Sequence, residues 1–241
     1  MVQNPELSII VPTLEEASNI PILAAEISLA LKSVVSRWEL IIVDDDSRDG
    51  TLEVCERLIT QGTPLQLVIR NNERGLATAV IEGFSRAKAP IWVVMDADLS
   101  HNPVFIPMFY EAIRHGSEFV LGSRYLPGGG TDDKWTVYRF LNSKIATLLA
   151  LPLVSTSDPM SGFFALPRSL WKRCPDLSPV GYKIALEIMV KCKPQKLTEI
   201  PIYFRSRTLG KSKLNIKQQI LYLMHLGGLY RYKWFADRRL K

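Results

Sequence analysis

Hydrophobic and polar positions follow two alternating patterns along the first hundred residues. Short apolar runs rich in β-branched residues predict buried strands, and longer segments with apolar residues at helical spacing predict helices. The predicted strands are Leu7–Val11, Leu40–Val43, Leu65–Arg70 and Ile91–Met95. The predicted helices between them are Pro21–Val35, Leu52–Thr60 and Gly75–Ala87. This order predicts right-handed βαβ units and an α/β fold, with a parallel sheet covered by helices on both faces.

The second half of the chain is less regular. The pattern predicts helices at Val137–Leu153 and Tyr182–Lys191, and strands at about Ser161–Leu166 and Glu199–Arg205. The apolar part of the first helix is shorter than the roughly 20 residues that cross a bilayer. That helix either lies in a membrane interface or belongs to the core.

Acidic residues follow the predicted strands where each strand ends. Asp96 and Asp98 come directly after the fourth strand. They are two positions apart in an extended segment, so they face the same side. A solvated turn explains one such pair, but three loops, 12–16, 44–46 and 96–100, meet at the carboxyl edge of a parallel sheet. The convergence favours a site for Mg²⁺ or Mn²⁺, which prefer oxygen ligands.

The loop after the first strand narrows the choice of ligand. The segment Pro12–Glu16 contains no glycine, so it lacks the G-x-G-x-x-G turn of dinucleotide-binding folds, and no Walker lysine loop is present. Carboxylates meet phosphates only through a cation. The sequence therefore indicates a nucleoside diphosphate bridged by a metal ion.

Composition and cysteine usage describe an ordinary globular chain. Its 241 residues are 47% hydrophobic and 22% charged, which excludes a disordered chain. Cys55, Cys174 and Cys192 are far apart, so we expect reduced core cysteines rather than a disulfide framework or a zinc site. The chain opens without a basic-then-apolar leader, which favours a cytoplasmic protein.

Positive charge is concentrated in the C-terminal tail. From Tyr203 onward there are ten Lys or Arg residues and one acid, Asp237, which leaves +9 there and −3 in the first 202 residues. Within the tail, Leu214–Phe235 is predicted to be an amphipathic helix with interfacial aromatic residues. It suits an anionic membrane surface, or else its apolar stripe packs on the rest of the chain. Nucleic acid is the weaker alternative, because no nucleic-acid-binding motif accompanies the charges.

Several short motifs occur in a fixed order along the chain. They are Ile10-Val11-Pro12-Thr13, Val43-Asp44-Asp45-Asp46-Ser47, Asp49-Gly50-Thr51, Arg74-Gly75-Leu76, Asp96-Ala97-Asp98-Leu99-Ser100-His101, Gly122-Ser123-Arg124-Tyr125, Ser161-Gly162-Phe163-Phe164 and Arg207-x-x-Gly210-x-Ser212-Lys213-Leu214. Together they resemble the family 2 glycosyltransferases of GT-A fold, and among these the dolichyl- or polyprenyl-phosphate mannose synthases. The resemblance covers about Leu7 to Leu214.

The resemblance implies a fold, a reaction and partners. The fold is a GT-A domain over residues 1–213, with a mixed, mostly parallel sheet, followed by a basic membrane-associating tail over 214–241. The reaction is transfer of mannose from GDP-mannose to dolichyl or other polyprenyl phosphate, with inversion and with Mg²⁺ or Mn²⁺. The expected partners are a membrane surface or a membrane-anchoring subunit at the cytoplasmic face, and no nucleic acid.

The resemblance also implies roles for individual residues. Asp96, Asp98 and Arg124 are the implied catalytic residues, and Asp98 and Ser100 the implied metal ligands. The implied substrate-binding residues are Pro12, Glu16, Val43, Asp44, Asp45, Ala97, Arg139, Ser143, Lys183, Arg207 and Lys213.

Two departures from the family pattern bear on the donor and the metal. Leu14 and Glu15 stand where the family usually has Tyr-Asn, and Ser100 stands where some members have Gln. Loss of the aromatic residue keeps open a polyprenyl-phosphate glucosyltransferase that uses UDP-glucose. A non-catalytic module that binds sugar nucleotides or anionic lipids is the alternative from another class.

Overall fold

A computed structural model describes the backbone of residues 4–132, 137–178, 182–205 and 216–239, and their side chains apart from those of 137–143, 216–218 and 236–239. Its strands are β1 (Leu7–Thr13), β2 (Trp38–Asp44), β3 (Leu65–Ile69), β4 (Ile91–Val94), β5 (Phe119–Ser123), β6 (Gly130–Thr131), β7 (Phe164–Pro167), β8 (Leu197–Pro201) and β9 (Tyr203–Phe204). Its α-helices are α1 (Ile20–Leu31), α2 (Thr51–Thr60), α3 (Leu76–Arg86), α4 (Ile106–Arg114), α5 (Val137–Ala150), α6 (Arg168–Lys172), α7 (Ile184–Cys192) and α8 (Ile216–Arg239). Short 3-10 turns precede α4 and follow α5.

The larger sheet is mixed and mostly parallel, as expected. Its strand order is β3-β2-β1-β4-β7-β5-β8, and β6 pairs with β9 in a small separate sheet. Strands β1, β2, β3 and β4 run parallel, and β5 runs parallel to β8. The carboxyl ends of β1, β2 and β4 therefore lie at one edge of the sheet, which we call the catalytic edge.

Strand β7 runs against its two neighbours. It is antiparallel to β4 and to β5, so its first residue, Phe164, lies opposite Val94 at the end of β4. Its last residue, Pro167, lies opposite Ile91 at the start of β4. The loop that precedes β7 therefore reaches the catalytic edge.

Apolar side chains pack on both faces of the sheet because successive strand residues point to opposite faces. In β1, Ile9 and Val11 belong to a core cluster that includes residues of α1 and α4. Ile10, between them, belongs to a second cluster with residues of α3 and α7. Gly83 of α3 lies so close to β1 that a Cβ there would overlap the side chain of Ile10. The sheet is thus covered by helices on both sides, as the pattern predicted.

Helix α8 has one buried side and one exposed side. Tyr222, Leu226 and Leu229 are buried in the second core cluster, whereas Leu223 and Met224 are 56% and 64% exposed. The hydroxyls of Tyr222 and Tyr230 donate hydrogen bonds to backbone carbonyls of α5 and hold the helix in place. The helix therefore packs on the second core cluster and still presents an apolar side to solvent. Among the helices of the described residues, none has the length and apolar content needed to cross a membrane.

Most of the helices and strands match those predicted from the sequence, and a few were not predicted. The strands and helices predicted in the first hundred residues are all present, with ends shifted by a few residues. The single predicted strand Glu199–Arg205 is wrong, because β8 and β9 join different sheets. Helix α4, strand β5 and helix α6 were not predicted. The proposed domain boundary between residues 213 and 214 lies outside the described residues.

The expectation of three reduced cysteines is wrong for two of them. Cys174, just after α6, and Cys192, at the end of α7, form a disulfide with Cα atoms 4.6 Å apart. The chain between them turns back on itself, which their spacing in the sequence does not reveal. Cys55 is free and buried in the core, as expected.

Candidate active site

The loop after β4 holds Asp98 and Ser100 together. The Asp98 carboxylate is 6% exposed, and its Oδ1 accepts hydrogen bonds from the Ser100 backbone N–H at 3.1 Å and from the Ser100 hydroxyl at 2.5 Å. Leu99, between them, has a φ of 64°, which side-chain-bearing residues adopt rarely. The side chains of Asp98 and Ser100 therefore hold the turn in a conformation that places the Asp98 carboxylate and the Ser100 hydroxyl on the same side.

His101 fixes the position of Asp96. Its Nδ1 accepts a hydrogen bond from the Asp96 backbone N–H at 3.0 Å, and its ring stacks on Phe163 with centroids 5.0 Å apart. Burial lowers the pKa of His101, although the carboxylates of Asp96 and Asp98 oppose the shift. The ring is thus neutral, with its proton on Nε2 as the hydrogen bond requires. The sequence motif contained His101 but gave it no role.

Gly162 allows the loop before β7 to lie against the segment Asp96–Ser100, which we call the acidic turn. A Cβ at position 162 would lie 3.5 Å from His101 Cε1 and 3.7 Å from Asp96 Oδ1. Any larger side chain would fill the space beside the Asp96 carboxylate, which is one-third exposed. The glycine therefore keeps the approach to Asp96 open.

Arg124, at the end of β5, is held by a carboxylate that no sequence motif indicated. Its Nε and Nη2 donate to the two oxygens of Asp158 at 2.7 and 2.8 Å, and Asp158 is fully buried. The guanidinium also lies 5.5 Å from the ring centroids of both Tyr125 and Phe204. The two-point hydrogen bond and the two rings together fix the plane of the guanidinium.

Glu199 of β8 anchors the loop that carries Asp158. Its carboxylate accepts hydrogen bonds from the Thr156 hydroxyl at 2.7 Å and from the Ser157 backbone N–H at 2.9 Å. The Ser157 hydroxyl lies 2.6 Å from Glu199 and 2.6 Å from the Ser123 hydroxyl of β5. Asp158 therefore belongs to a loop attached to two strands, and no short motif in the sequence signals this network.

Lys183 joins the site from the start of α7. Its ammonium donates to the Met160 carbonyl at 2.5 Å. Burial lowers the pKa of Lys183 to about 8, and the positive charge of Arg124 adds to the effect, while Asp158 and Asp96 oppose it. Two cations, Arg124 and Lys183, and two carboxylates, Asp96 and Asp158, thus interact at the catalytic edge.

Asp44 and Asp45, at the end of β2, already have protein partners. Asp44 accepts from the Thr13 hydroxyl at 2.9 Å and from the Ser47 backbone N–H at 2.8 Å. Both Asp45 oxygens are used, one by the Arg70 guanidinium and the other by the Gly75 backbone N–H at 2.8 Å. These carboxylates shape the loops of the catalytic edge before any ligand arrives.

The remaining sequence-predicted residues divide between this edge and the undescribed parts of the chain. Pro12 of β1 lies opposite Val43 of β2 in the sheet register. Glu16 accepts a hydrogen bond from the Asn19 side chain at 2.6 Å in the loop after β1, and Ala97 lies buried between the two acids of the β4 loop. Arg139 and Ser143 lie in α5, but their side chains are outside the described residues, as are Arg207 and Lys213 entirely.

The acidic turn suits a metal that arrives with its substrate. Within the described residues, no cluster of three or more His, Cys, Asp or Glu side chains forms a complete metal site. Asp96, Asp98 and Ser100 offer only oxygen atoms. Mg²⁺ and similar ions commonly use one or two carboxylates and complete their shell with phosphate oxygens and water. The donor set therefore fits an ion that shares its coordination with a diphosphate.

Comparison with known proteins identifies the family. A family model described as glycosyl transferase family 2 matches residues 8–174. The chain belongs to this family. It is therefore a glycosyltransferase. The acidic turn, together with Arg124, Asp158 and Lys183, forms its candidate active site.

The curated relatives share one name. The dolichol-phosphate mannosyltransferase of Saccharomyces cerevisiae is 41% identical over 240 residues, which cover 96% of this chain and 90% of the relative. Proteins of the same name from Pyrococcus furiosus and Mycosarcoma maydis are 40% and 38% identical, covering 98% and 95% of this chain and 67% and 81% of the relatives. The glycosyltransferase is thus similar to these enzymes over nearly its whole length.

Solved structures show the same GT-A fold at low identity. The glucosyl-3-phosphoglycerate synthase from Mycobacterium tuberculosis, in complex with Mn²⁺, UDP and glucosyl-3-phosphoglycerate, has a TM-score of 0.65 and 19% identity. The match covers 92% of this chain and 77% of that one. The GT-A fold expected from the sequence is confirmed.

The buried Asp158–Arg124 pair predicts a stability difference. Asp158→Asn leaves Arg124 buried opposite a neutral amide, so we expect the free energy of unfolding to fall by about 3 kcal/mol in urea denaturation. The matched control Glu118→Gln removes an acid from the more exposed Glu118–Arg173 pair, which has a 2.8 Å contact. It should cost less than about 1 kcal/mol. Equal losses in both variants would contradict the proposed anchoring.

The lowered pKa of Lys183 predicts a pH dependence. Folded protein loses this proton near pH 8, whereas an unfolded lysine keeps it up to its ordinary value of 10.5. We expect kcat/KM for transfer to fall above about pH 8, because a substrate phosphate loses a cationic partner. Lys183→Arg should move that fall to higher pH.

Stability should change in the opposite direction over the same range. Between about pH 8 and 10.5 the unfolded chain binds more protons than the folded chain, so stability should rise with pH relative to a Lys183→Met variant.

The activity profile identifies the titrating group. A pH profile of kcat/KM in Lys183→Arg that matches that of the unmodified enzyme would exclude Lys183 as that group.

Proposed function

We propose that the chain transfers mannose from GDP-mannose to the phosphate of dolichol or another polyprenol, with inversion at the anomeric carbon. The observation that carries this proposal is the grouping of the acidic turn with Arg124 and Lys183 at one sheet edge. A donor diphosphate calls for carboxylates with a shared cation, and an acceptor phosphate calls for fixed positive charge. The common name of the relatives supports the choice of sugar and acceptor.

The acceptor phosphate needs positioning more than deprotonation. It is already anionic at neutral pH, so its oxygen is a competent nucleophile once it is aligned with the anomeric carbon. Arg124 suits this task, because Asp158 and two aromatic rings hold its guanidinium before the acceptor binds. Lys183 adds a second cation with N–H groups beyond the one that contacts Met160.

The donor phosphates belong beside the turn after β4. Asp98 and Ser100 would hold Mg²⁺ or Mn²⁺ there, and the ion would neutralise the charge that develops on the departing nucleoside diphosphate. In the proposed single displacement, an acceptor oxygen forms a bond to the anomeric carbon as the bond to the donor diphosphate breaks. Asp96, fixed by His101, lies one-third exposed at the same edge and suits contact with the sugar.

A glucosyl donor is the second candidate within the same chemistry. Leu14 replaces the aromatic residue that the family usually carries in the loop after β1. Without that ring, the base site has less reason to prefer guanine. The assay should therefore compare GDP-mannose with UDP-glucose on the same polyprenyl phosphate. A non-catalytic binding module is the weaker alternative, because Asp96, Asp98 and Arg124 are all present in the chain.

We further propose that this enzyme works on the cytoplasmic face of a membrane. Large apolar side chains are exposed on α5 and on the adjacent helix α8. They are Ile145, Leu148, Leu149, Ile220, Leu223, Met224, Trp234 and Phe235. Exposed cations Lys144 and Arg231 lie on the same two helices. Such a surface suits the interface of an anionic bilayer, where the acceptor lipid resides, or a membrane-anchoring subunit.

The metal role of Asp98 has a direct test. We expect Asp98→Ala to abolish mannose transfer while the protein remains folded, because the turn loses the carboxylate that would hold the cation. Asp46→Asn is a matched control at the same edge, since Asp46 pairs only with Arg48 among the ion pairs of the described residues. It should retain transfer. Normal turnover of radiolabelled GDP-mannose by Asp98→Ala would refute the assignment.

The apolar surface of α8 predicts a change in lipid binding. Replacing Leu223 and Met224 together by Ser should weaken sedimentation with phosphatidylserine vesicles at least about tenfold, because each buried methylene contributes about 0.8 kcal/mol. The control replaces Ile22 and Leu29, two exposed apolar residues of α1, and should leave binding unchanged. Equal binding by both double variants would contradict the proposed surface.

A further inference from the structure

A cavity of about 650 Å³, open to solvent, lies at the end of the sheet opposite to the catalytic edge. Ile91, the first residue of β4, and Pro167, the last residue of β7, both line it and pair with each other across the sheet. Asp96 lies five positions after Ile91, about 17 Å further along an extended chain. The cavity is therefore separate from the candidate active site.

The cavity has an apolar and aromatic wall. Tyr110 and Ile113 of α4 line it and are both buried. They are three residues apart and so lie on the same side of the helix. Pro5 and Pro90 add further apolar surface from the segments before β1 and β4. An apolar or aromatic molecule would find a contact surface here.

Four cations from three segments of the chain line the same cavity. They are Lys88 before β4, Arg114 at the end of α4, and Arg168 and Lys172 of α6. The one acid in the lining, Glu6, is paired with Arg37 and lies 3.4 Å from the Tyr110 hydroxyl. The lining therefore carries a clear excess of positive charge.

Three of these cations have no acidic partner among the residues that the structure describes. Arg114 lies 3.4 Å from Glu111 and over the Tyr110 ring. Among the ion pairs of the described residues, none involves the side chains of Lys88, Arg168 or Lys172. A solvated surface usually intersperses charges of both signs, whereas here like charges converge on one concave site. Such a site attracts an anion, because its positive potentials add.

We propose that this cavity binds a phosphorylated small molecule with an apolar or aromatic body. Its volume lies in the range of roughly 300–1,000 Å³ that ligand sites occupy. Arginine and lysine at the rim suit a phosphate group, and the Tyr110–Ile113 wall suits the body of the molecule. The proposal does not depend on the transferase function, because it uses none of the same residues.

Phenyl phosphate is a suitable probe, with phenol and inorganic phosphate as the comparison ligands. We expect saturable binding with a dissociation constant of about 1 mM or below in calorimetric titration, and weaker binding of both comparison ligands. Backbone amide resonances of Ile91, Tyr110 and Arg168 should shift on binding. Replacing Arg168 and Lys172 together by Ser should weaken binding at least about fivefold.

A matched variant separates this site from general electrostatic attraction. Lys32→Ser with Arg57→Ser removes the same charges from exposed positions outside the cavity, and it should leave binding intact. Equal weakening in both double variants, no saturable binding, or shifts confined to the residues around Asp96 and Arg124 would each overturn the proposal. Both double variants should retain transfer activity. Because the cavity shares no residue with the candidate active site, absence of transfer in the unmodified protein would not affect this binding test.

Discussion

The direction of the strands decides where the candidate active-site residues of the described part of this enzyme lie. Parallel strands β1, β2 and β4 place the loops after them at one edge of the sheet. The antiparallel strand β7 brings the loop before it to that edge, and with it Asp158 and Gly162. The acidic turn after β4 and the arginine after β5 thus come together, although they lie far apart in the sequence. A parallel β7 would send the Asp158 loop to the opposite end of the molecule.

Much of this arrangement is predictable from the sequence, because its causes are local. Runs such as Leu7–Val11 and Ile91–Met95 combine β-branched residues with short length, which leaves little choice except a buried strand. The carboxylates that follow them are then placed by the topology of parallel sheets. Asp96 and Asp98 could therefore be singled out before any coordinates, whereas Arg124 was indicated only by the resemblance of the motifs to a known family. The family model and the relatives confirm the enzyme class that these residues indicated.

The parts that were missed depend on contacts between distant segments. Asp158 is one carboxylate among many in the sequence, and only the reversed direction of β7 brings it to Arg124. Glu199 reaches that loop from a strand about 40 positions later. Pro103 lies just before helix α4 and Pro107 lies in its first turn, so the start of the helix resembles a loop. The Cys174–Cys192 disulfide likewise depends on how the chain folds back.

The hydrogen bonds that Asp44 and Asp45 already make have a consequence for how the proposed nucleotide donor would bind. Thr13, Ser47, Arg70 and Gly75 hold the surrounding loops through these two carboxylates without help from a ligand. When a flexible loop becomes ordered on ligand binding, the lost conformational entropy offsets part of the binding free energy. In this enzyme the loops around Asp44 and Asp45 are already ordered when the protein folds. Affinity for the donor should therefore reflect its contacts directly, and the backbone of these loops should change little between the empty and the loaded enzyme.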